Sequence, residues 1–195
     1  LAGNIVMASP YTINPAGYII HSAIHEARED ARCVLHVHTR EGVAVSCQEQ
    51  GLLPLSQIAL FAGTSIAYHN YEGVALNPAE KVRLVADLGS ANFMILRSHG
   101  LLTCGRTVAE AFLFMYSLQR ACETQLLAQS SGAKLIPVSQ PVIDGFRAMA
   151  DAFLKNTLDT LKTKRFSLAT MIDGQVAPLS YTDAKIGVFF ELPDL

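Results

Sequence analysis

The sequence predicts a mixed α/β layer fold, on three observations. Segments with apolar residues at helical spacing alternate with short apolar runs of strand length. Capping and turn residues punctuate the boundaries between them. Half of the 195 residues are hydrophobic and 16% are charged, enough apolar side chain to bury a core and too little charge for a disordered chain. No repeat, low-complexity tract or linker divides the chain, so a single domain over 1–195 is expected.

The elements follow in order. Residues 3–8 (GNIVMA) read as a short apolar strand, closed by the turn signals Ser9-Pro10 and Asn14-Pro15. From Gly17 to Glu29, Ile20, Ala23, Ile24 and Ala27 recur at helical spacing while His21, His25, Arg28 and Glu29 face elsewhere, which predicts an amphipathic helix. Residues 33–38 (CVLHVH) predict a buried strand, and 43–47 (VAVSC) either another strand or the start of a helix. Within 51–71, a short helical piece and then a strand near Ser65–His69 are expected. Asn77 is read as the cap of a helix with Pro78 at its first position. Residues 93–97 (FMILR) and Leu101–Cys104 predict two strands joined by a tight turn at Ser98-His99-Gly100. Thr107 and Glu110 form a capping box for a helix that runs to about Gln129 and stops at Ser130-Ser131-Gly132. A further helix is expected over Val142–Lys162 and a strand over 186–190 (IGVFF).

Bulk properties exclude several roles. A net charge of −2 and a pI near 6.3 provide no basic surface for nucleic acid. No apolar run approaches the ~18 residues that cross a bilayer, so no membrane partner is expected. Cys33, Cys47, Cys104 and Cys122 lie far apart without a CxxC pair, which reads as reduced core thiols of a cytoplasmic protein. The chain starts at Leu1 without an initiator Met, and an N-terminal portion is expected to be missing from it.

His36-Val37-His38 carries the most chemistry. Side chains two apart on a strand point to one face, so both imidazoles converge on a point. Neutral imidazole suits zinc and neighbouring divalent ions, and a catalytic site offers three protein ligands with one position open. The bland alternative is two histidines on a half-exposed strand. Arg97-Ser98-His99-Gly100 places a further histidine in a turn between strands, where a sheet fixes side chains and leaves room for ligand. Alternatively, His99 bonds local backbone and Gly100 supplies a required φ.

Taken together, HSAIHEAREDARCVLHVHTREGVAVS, GLLPLSQIAL, AYHNYEG and ILRSHGLLTCGRTVAEAF resemble the class II aldolase/adducin family, its adducin-like branch in particular, over roughly residues 3–130. The resemblance implies a three-layer α/β/α sandwich with a central mixed sheet. It implies one divalent metal, zinc foremost, held by His36, His38 and His99, a small-molecule substrate, and a homo-oligomer, often a tetramer. It implies lyase-type chemistry on a hydroxy-carbonyl compound, or a non-catalytic module of the kind adducin heads supply to cytoskeletal assemblies.

Two departures stand out. In the family's sugar-phosphate aldolases a glutamate acting as acid/base lies 19 residues before the first metal histidine, and here that position is Gly17. Ser98 stands where the family has Asn, as a candidate to orient His99. His69 is a candidate substrate contact or a packed strand histidine. His21 and His25, four apart on a helix, are expected in solvent-facing or capping roles. Glu26 and Glu72 are candidate replacement bases, though a lone surface carboxylate is usually only solvated, and Tyr18, Tyr68 and Tyr71 are candidate phenolic acids that nothing local marks. Glu80, Lys81 and Arg83 read as one exposed helix face, and Lys155, Lys162, Lys164 and Arg165 as another. Phe112, Phe114, Met115 and Tyr116 read as core or subunit contact. Residues 145–195 carry no family signal.

Overall fold

Short apolar runs that bury both faces of a strand dictate a sheet covered on both sides. The computed structural model describes residues 4–147 except 6, 9 and 64, residue 149, and the backbone of 169–172, 175–178 and 186–189. Five strands form its central sheet, in the order β2 (Ile66–His69), β3 (Phe93–Leu96), β4 (Gly100–Gly105), β1 (Cys33–Val37), β7 (Ile186–Phe189). β2 and β3 run parallel, as do β1 and β7, while β4 is antiparallel to both β3 and β1. The sheet is therefore mixed. A separate antiparallel pair joins β5 (Ala169–Ile172) to β6 (Gln175–Pro178).

Alternation along the strands feeds two cores. Cys33, Leu35, Val37, Phe93, Ile95 and Leu101 pack with α5 (Val108–Ser130) and with Val45 and Phe61 of α2 (Arg40–Ser46) and α3 (Gln57–Gly63). Val34, Met94, Leu96, Leu102 and Cys104 pack on the opposite face against α1 (Pro15–Ala27) and α4 (Glu80–Leu88). Helices thus cover both faces of the sheet, and the molecule is the expected three-layer α/β/α sandwich.

Several boundaries shift for local reasons. α1 begins at Pro15, two residues before the expected start, because Asn14 Oδ1 accepts from the Ala16 and Gly17 amides and proline suits the first helical position. Residues 43–46 fall in α2 despite their β-branched content, with Cys47 as its C-cap. Thr39 Oγ1 accepts from Gly42 N and starts α2 directly after β1, so capping overrides strand propensity. α4 starts at Glu80, two residues later than expected. Asn77 Oδ1 caps the preceding turn, accepting from Ala79 N. At Thr107 the capping box is modified. Thr107 Oγ1 accepts from Glu110 N, but Glu110 Oε2 reaches one residue further back to accept from Arg106 N at 2.6 Å.

Other expectations fail on burial. No strand includes the described residues of 3–8. Ile5 and Met7 are 75% and 79% exposed, and no described strand offers them a ladder. α1 is buried from Ile19 through His25, so His21 and His25 do not face solvent. Glu80 is only 6% exposed, whereas Lys81 and Arg83 stay at the surface. Phe114 and Met115 enter the core, while Phe112 and Tyr116 remain exposed. Of the helix expected over 142–162, the described residues 140–147 are helical, and the rest lies outside the described residues, as do Lys155, Lys162, Lys164 and Arg165.

Candidate metal centre

His36 near the end of β1 and His38 one residue past it lie on the side of the sheet that faces α1 and α4, as the two-residue spacing requires. His99 comes from the turn between β3 and β4. The ligand nitrogens of His36, His38 and His99 all lie within 4.8 Å of one another. The ring centroids are 4.5, 4.8 and 4.7 Å apart, so the three imidazoles ring a common point. Among the described residues no other group of histidines, cysteines or carboxylates clusters in this way.

Close packing assembles the turn. Gly100 passes so near β1 that a Cβ would stand 2.4 Å from Val37 O and 3.0 Å from His38 Cδ2. Only glycine permits that approach, which brings His99 beside the His36–His38 pair. Ser46 at the end of α2 holds the turn from below. Its carbonyl accepts from Ser98 N, and its hydroxyl accepts from His99 N at 3.2 Å. Ser98 itself has φ 52°, a left-handed backbone uncommon outside glycine and asparagine. Its hydroxyl makes no hydrogen bond among the described residues, so the orienting role expected of Ser98 falls to Ser46. Nothing in the sequence marks Ser46, because its contact spans 53 residues and depends on how α2 docks.

Electrostatics suit a cation. Leu101 O lies 2.9 Å from His36 Nδ1, fixing that nitrogen as the protonated donor and leaving Nε2 with its lone pair. His36 Nε2 and His38 Nε2 stand 2.8 Å apart. Burial first, then the neighbouring imidazole of His99, lowers the His36 pKa to about 3. Burial, then His38 and His69, lowers that of His99 to about 4. Both rings are therefore neutral near pH 7, the form that donates to a metal. Two nitrogens on one tetrahedral zinc stand about 3.3 Å apart, so the His36–His38 pair need open only about half an ångström. The residues present fit the ion.

Beside His99 lies a small cleft whose lining includes His69, Tyr71, Glu72, Glu80 and Arg97. His69, at the end of β2, is bonded through Nδ1 to Asp87 Oδ2 at 2.7 Å, and its Nε2 lies 3.5 Å from Glu80 Oε1. Tyr71 approaches His99 with ring centroids 6.2 Å apart. Glu72 is held by Arg83, and Arg97 stacks over Tyr68 with its guanidinium 4.3 Å from the ring centre. Glu26 pairs with Lys81 at 3.6 Å, and the Lys81 ammonium stands 5.4 Å from the Tyr18 ring. His25 Nδ1 is 2.7 Å from Ala31 O, closing the loop between α1 and β1. Gly17 sits buried in the first turn of α1, a position that carries no titratable group.

Comparison with known proteins agrees with this architecture. The sequence profile of the Class II Aldolase and Adducin N-terminal domain matches residues 1–126. A Pseudomonas aeruginosa protein carrying the provisional name of aldolase class 2 protein is 59% identical over 155 residues, 80% of this chain and 60% of its own. Rat alpha-adducin is 42% identical over 132 residues, 66% of this chain and 18% of its own. A Pseudomonas syringae aldolase II superfamily protein of known structure superposes with a TM-score of 0.69 at 44% identity, covering 80% of this chain and 64% of its own. The chain thus spans less than two thirds of the length of each of these relatives. The matched profile, the mixed sheet between two helical layers and the three-histidine cluster together place the chain in the class II aldolase and adducin family.

Proposed function

We propose that this chain is the metal-holding part of a lyase-type enzyme, acting by aldol cleavage or a related reaction on a small hydroxy-carbonyl compound. The observation that carries the reading is the convergence of three imidazoles with their ligand nitrogens within 4.8 Å of one another, next to a small cleft. His36, His38 and His99 would hold one divalent ion, zinc foremost, and leave a position for substrate. A bound zinc supplies Lewis-acid polarisation of a carbonyl oxygen. The chain's own contribution is to fix the ligands through Leu101 O, Ser46 and Gly100, and to set polar groups along the cleft. The reading includes a homo-oligomer, tetrameric by family resemblance, in a reducing cytoplasmic compartment, supported by four free thiols. Among the described residues no helix is long and apolar enough to cross a membrane.

One observation favours a second reading, an adducin-like binding module. Gly17 stands where the aldolases of this family carry their acid/base, and rat alpha-adducin is 42% identical to this chain over 132 residues. A metal site closed by a fourth protein ligand would suit that role, whereas among the described residues the cluster has three members and a small cleft beside it.

Elemental analysis of the purified chain beside His99→Ala tests the site. About one zinc per chain, lost in the variant, supports it. A chain that stays metal-free when titrated with zinc at neutral pH would sink it and leave the module reading.

A further inference from the structure

We propose that His69 is the proton-transferring residue of this cleft, with Asp87 fixing its tautomer and Glu80 balancing the charge it acquires. The inference rests on the metal-dependent reading above and names the base which that reading lacks. Aldol chemistry needs a group that takes and returns a proton beside the polarised carbonyl. The titratable side chains lining the cleft beside His99 are His69, Tyr71, Glu72, Glu80 and Arg97. Arg97 is a cation with no lone pair to offer. Glu72 is engaged through both oxygens by the Arg83 guanidinium. Tyr71 brings an O–H on a ring that is 54% exposed to water. His69 and Glu80 remain.

His69 is the better placed of the two. It is 3% exposed, held on a rigid strand, and its Nδ1 is 2.7 Å from Asp87 Oδ2. A carboxylate at that nitrogen keeps the ring proton there and leaves Nε2 with its lone pair. Nε2 is buried without a hydrogen-bond partner among the described residues, an expensive condition unless a bound molecule completes it. Glu80 Oε1, 3.5 Å away, is too distant for a hydrogen bond but close enough to stabilise an imidazolium. The charged and titratable groups around the ring are Asp87 and Glu80 of α4, Glu72 of the loop after β2, and His99 across the cleft.

In the cleavage direction Nε2 takes the proton of the substrate hydroxyl, whose C–O bond becomes a carbonyl. The adjacent C–C bond breaks, and its electron pair is taken up by the neighbouring carbonyl. The proton then passes from Nε2 to the carbon left behind, so the ring ends as it began. The reverse of that last transfer removes a C–H proton from the ketone product, which makes isotope exchange a direct readout.

The test uses the zinc-loaded chain with hydroxyacetone in deuterium oxide, followed by proton NMR. Wild type is expected to exchange C–H hydrogens, and His69→Gln to slow exchange at least ~100-fold with its zinc content unchanged. Asp87, with a side chain 44% exposed, provides a variant that leaves the fold intact. Asp87→Asn is expected to slow exchange as well, because an amide N–H facing Nδ1 selects the wrong tautomer. A second readout needs no turnover. In the metal-free protein, long-range ¹H–¹⁵N correlation of the neutral His69 ring is expected to show the proton on Nδ1 and Nε2 bare. The inference is overturned by a wild type that holds zinc yet exchanges nothing, by His69→Gln exchanging at the wild-type rate, or by a neutral ring that carries its proton on Nε2. A chain that takes up no zinc defeats the metal reading instead, and the tautomer of the ring still decides the part assigned to His69.

Discussion

Gly100→Ala tests whether close packing, rather than the histidines alone, makes the metal centre. The new methyl would stand 2.4 Å from Val37 O and 3.0 Å from His38 Cδ2. The nearer obstacle is backbone carbonyl of a central strand, which cannot rotate away as a side chain would. Separation to ordinary contact requires β1 and the turn to part by nearly 1 Å. Overpacking a rigid site costs about 1–3 kcal/mol, and contact with backbone places this substitution at the upper end. In a chain of this size about 3 kcal/mol corresponds to a melting-temperature drop of roughly 6–12 °C. The same shift moves His38 and His99 beyond the roughly 0.2 Å tolerance of a metal ligand, so zinc affinity is expected to fall at least ~10-fold. Thermal melts in EDTA isolate the packing term, and competition titration with a zinc indicator reads the affinity. Gly63→Ala is the control, since a Cβ there meets nothing within 4 Å. A Gly100→Ala protein that melts within 2 °C of wild type and binds zinc equally well refutes the reasoning.

Ser98→Asn is expected to stabilise the chain, because φ 52° suits asparagine better than serine. A gain of about 0.5–1 kcal/mol, seen as a melting point raised by roughly 1–4 °C, is the outcome to look for, and a loss would show that the serine hydroxyl matters. Burial raises the thiol pKa of Cys33, Cys104 and Cys122 to about 12, 11 and 12, while Cys47 is exposed. One thiol per chain should therefore react quickly with Ellman's reagent at pH 8, and Cys47→Ser should abolish that phase without altering the slow remainder. Burial, and then His25, lowers the pKa of His21 to about 4 from an ordinary 6.5. The unfolded chain thus takes the proton first as pH falls, so the contribution is complete above about pH 6.5 and is lost progressively towards pH 4. Between pH 7 and 5 the loss from this one group is about 2 kcal/mol. Urea melts of the zinc-free chain should show a pH dependence smaller by that amount in His21→Gln, and an unchanged dependence would contradict the assignment.

The layer architecture and the candidate ligands were legible in the sequence because both rest on local rules. Strand runs such as CVLHV and FMIL are apolar on both faces, which specifies a sheet covered on two sides. Two-residue spacing on a strand puts His36 and His38 on one face whatever the rest of the chain does. A turn between strands, marked by Gly100, identifies His99 as a third partner only through family resemblance, since nothing local ties residue 99 to residue 36. Where local rules compete, the sequence leaves the choice open. VAVSC favours a strand by propensity, yet VAVS ends α2 because Thr39 caps a helix there.

Burial and long-range contact belong to the tertiary structure alone. Glu80 reads as one charge on a polar helix face, yet packing of α4 against β2 buries it beside His69 and brings Asp87 to the same ring. His21 and His25 read as the polar side of an amphipathic helix, and the layer formed by α1 and α4 encloses both. Ser46 reaches the backbone of His99 from 53 residues away. Sequence by itself determined which residue types stand at which period and hence the layers and the placing of His36 and His38 on one face. The fold decided which charges lose water and which distant side chains meet, because solvation and contact depend on three-dimensional neighbours that no local pattern encodes.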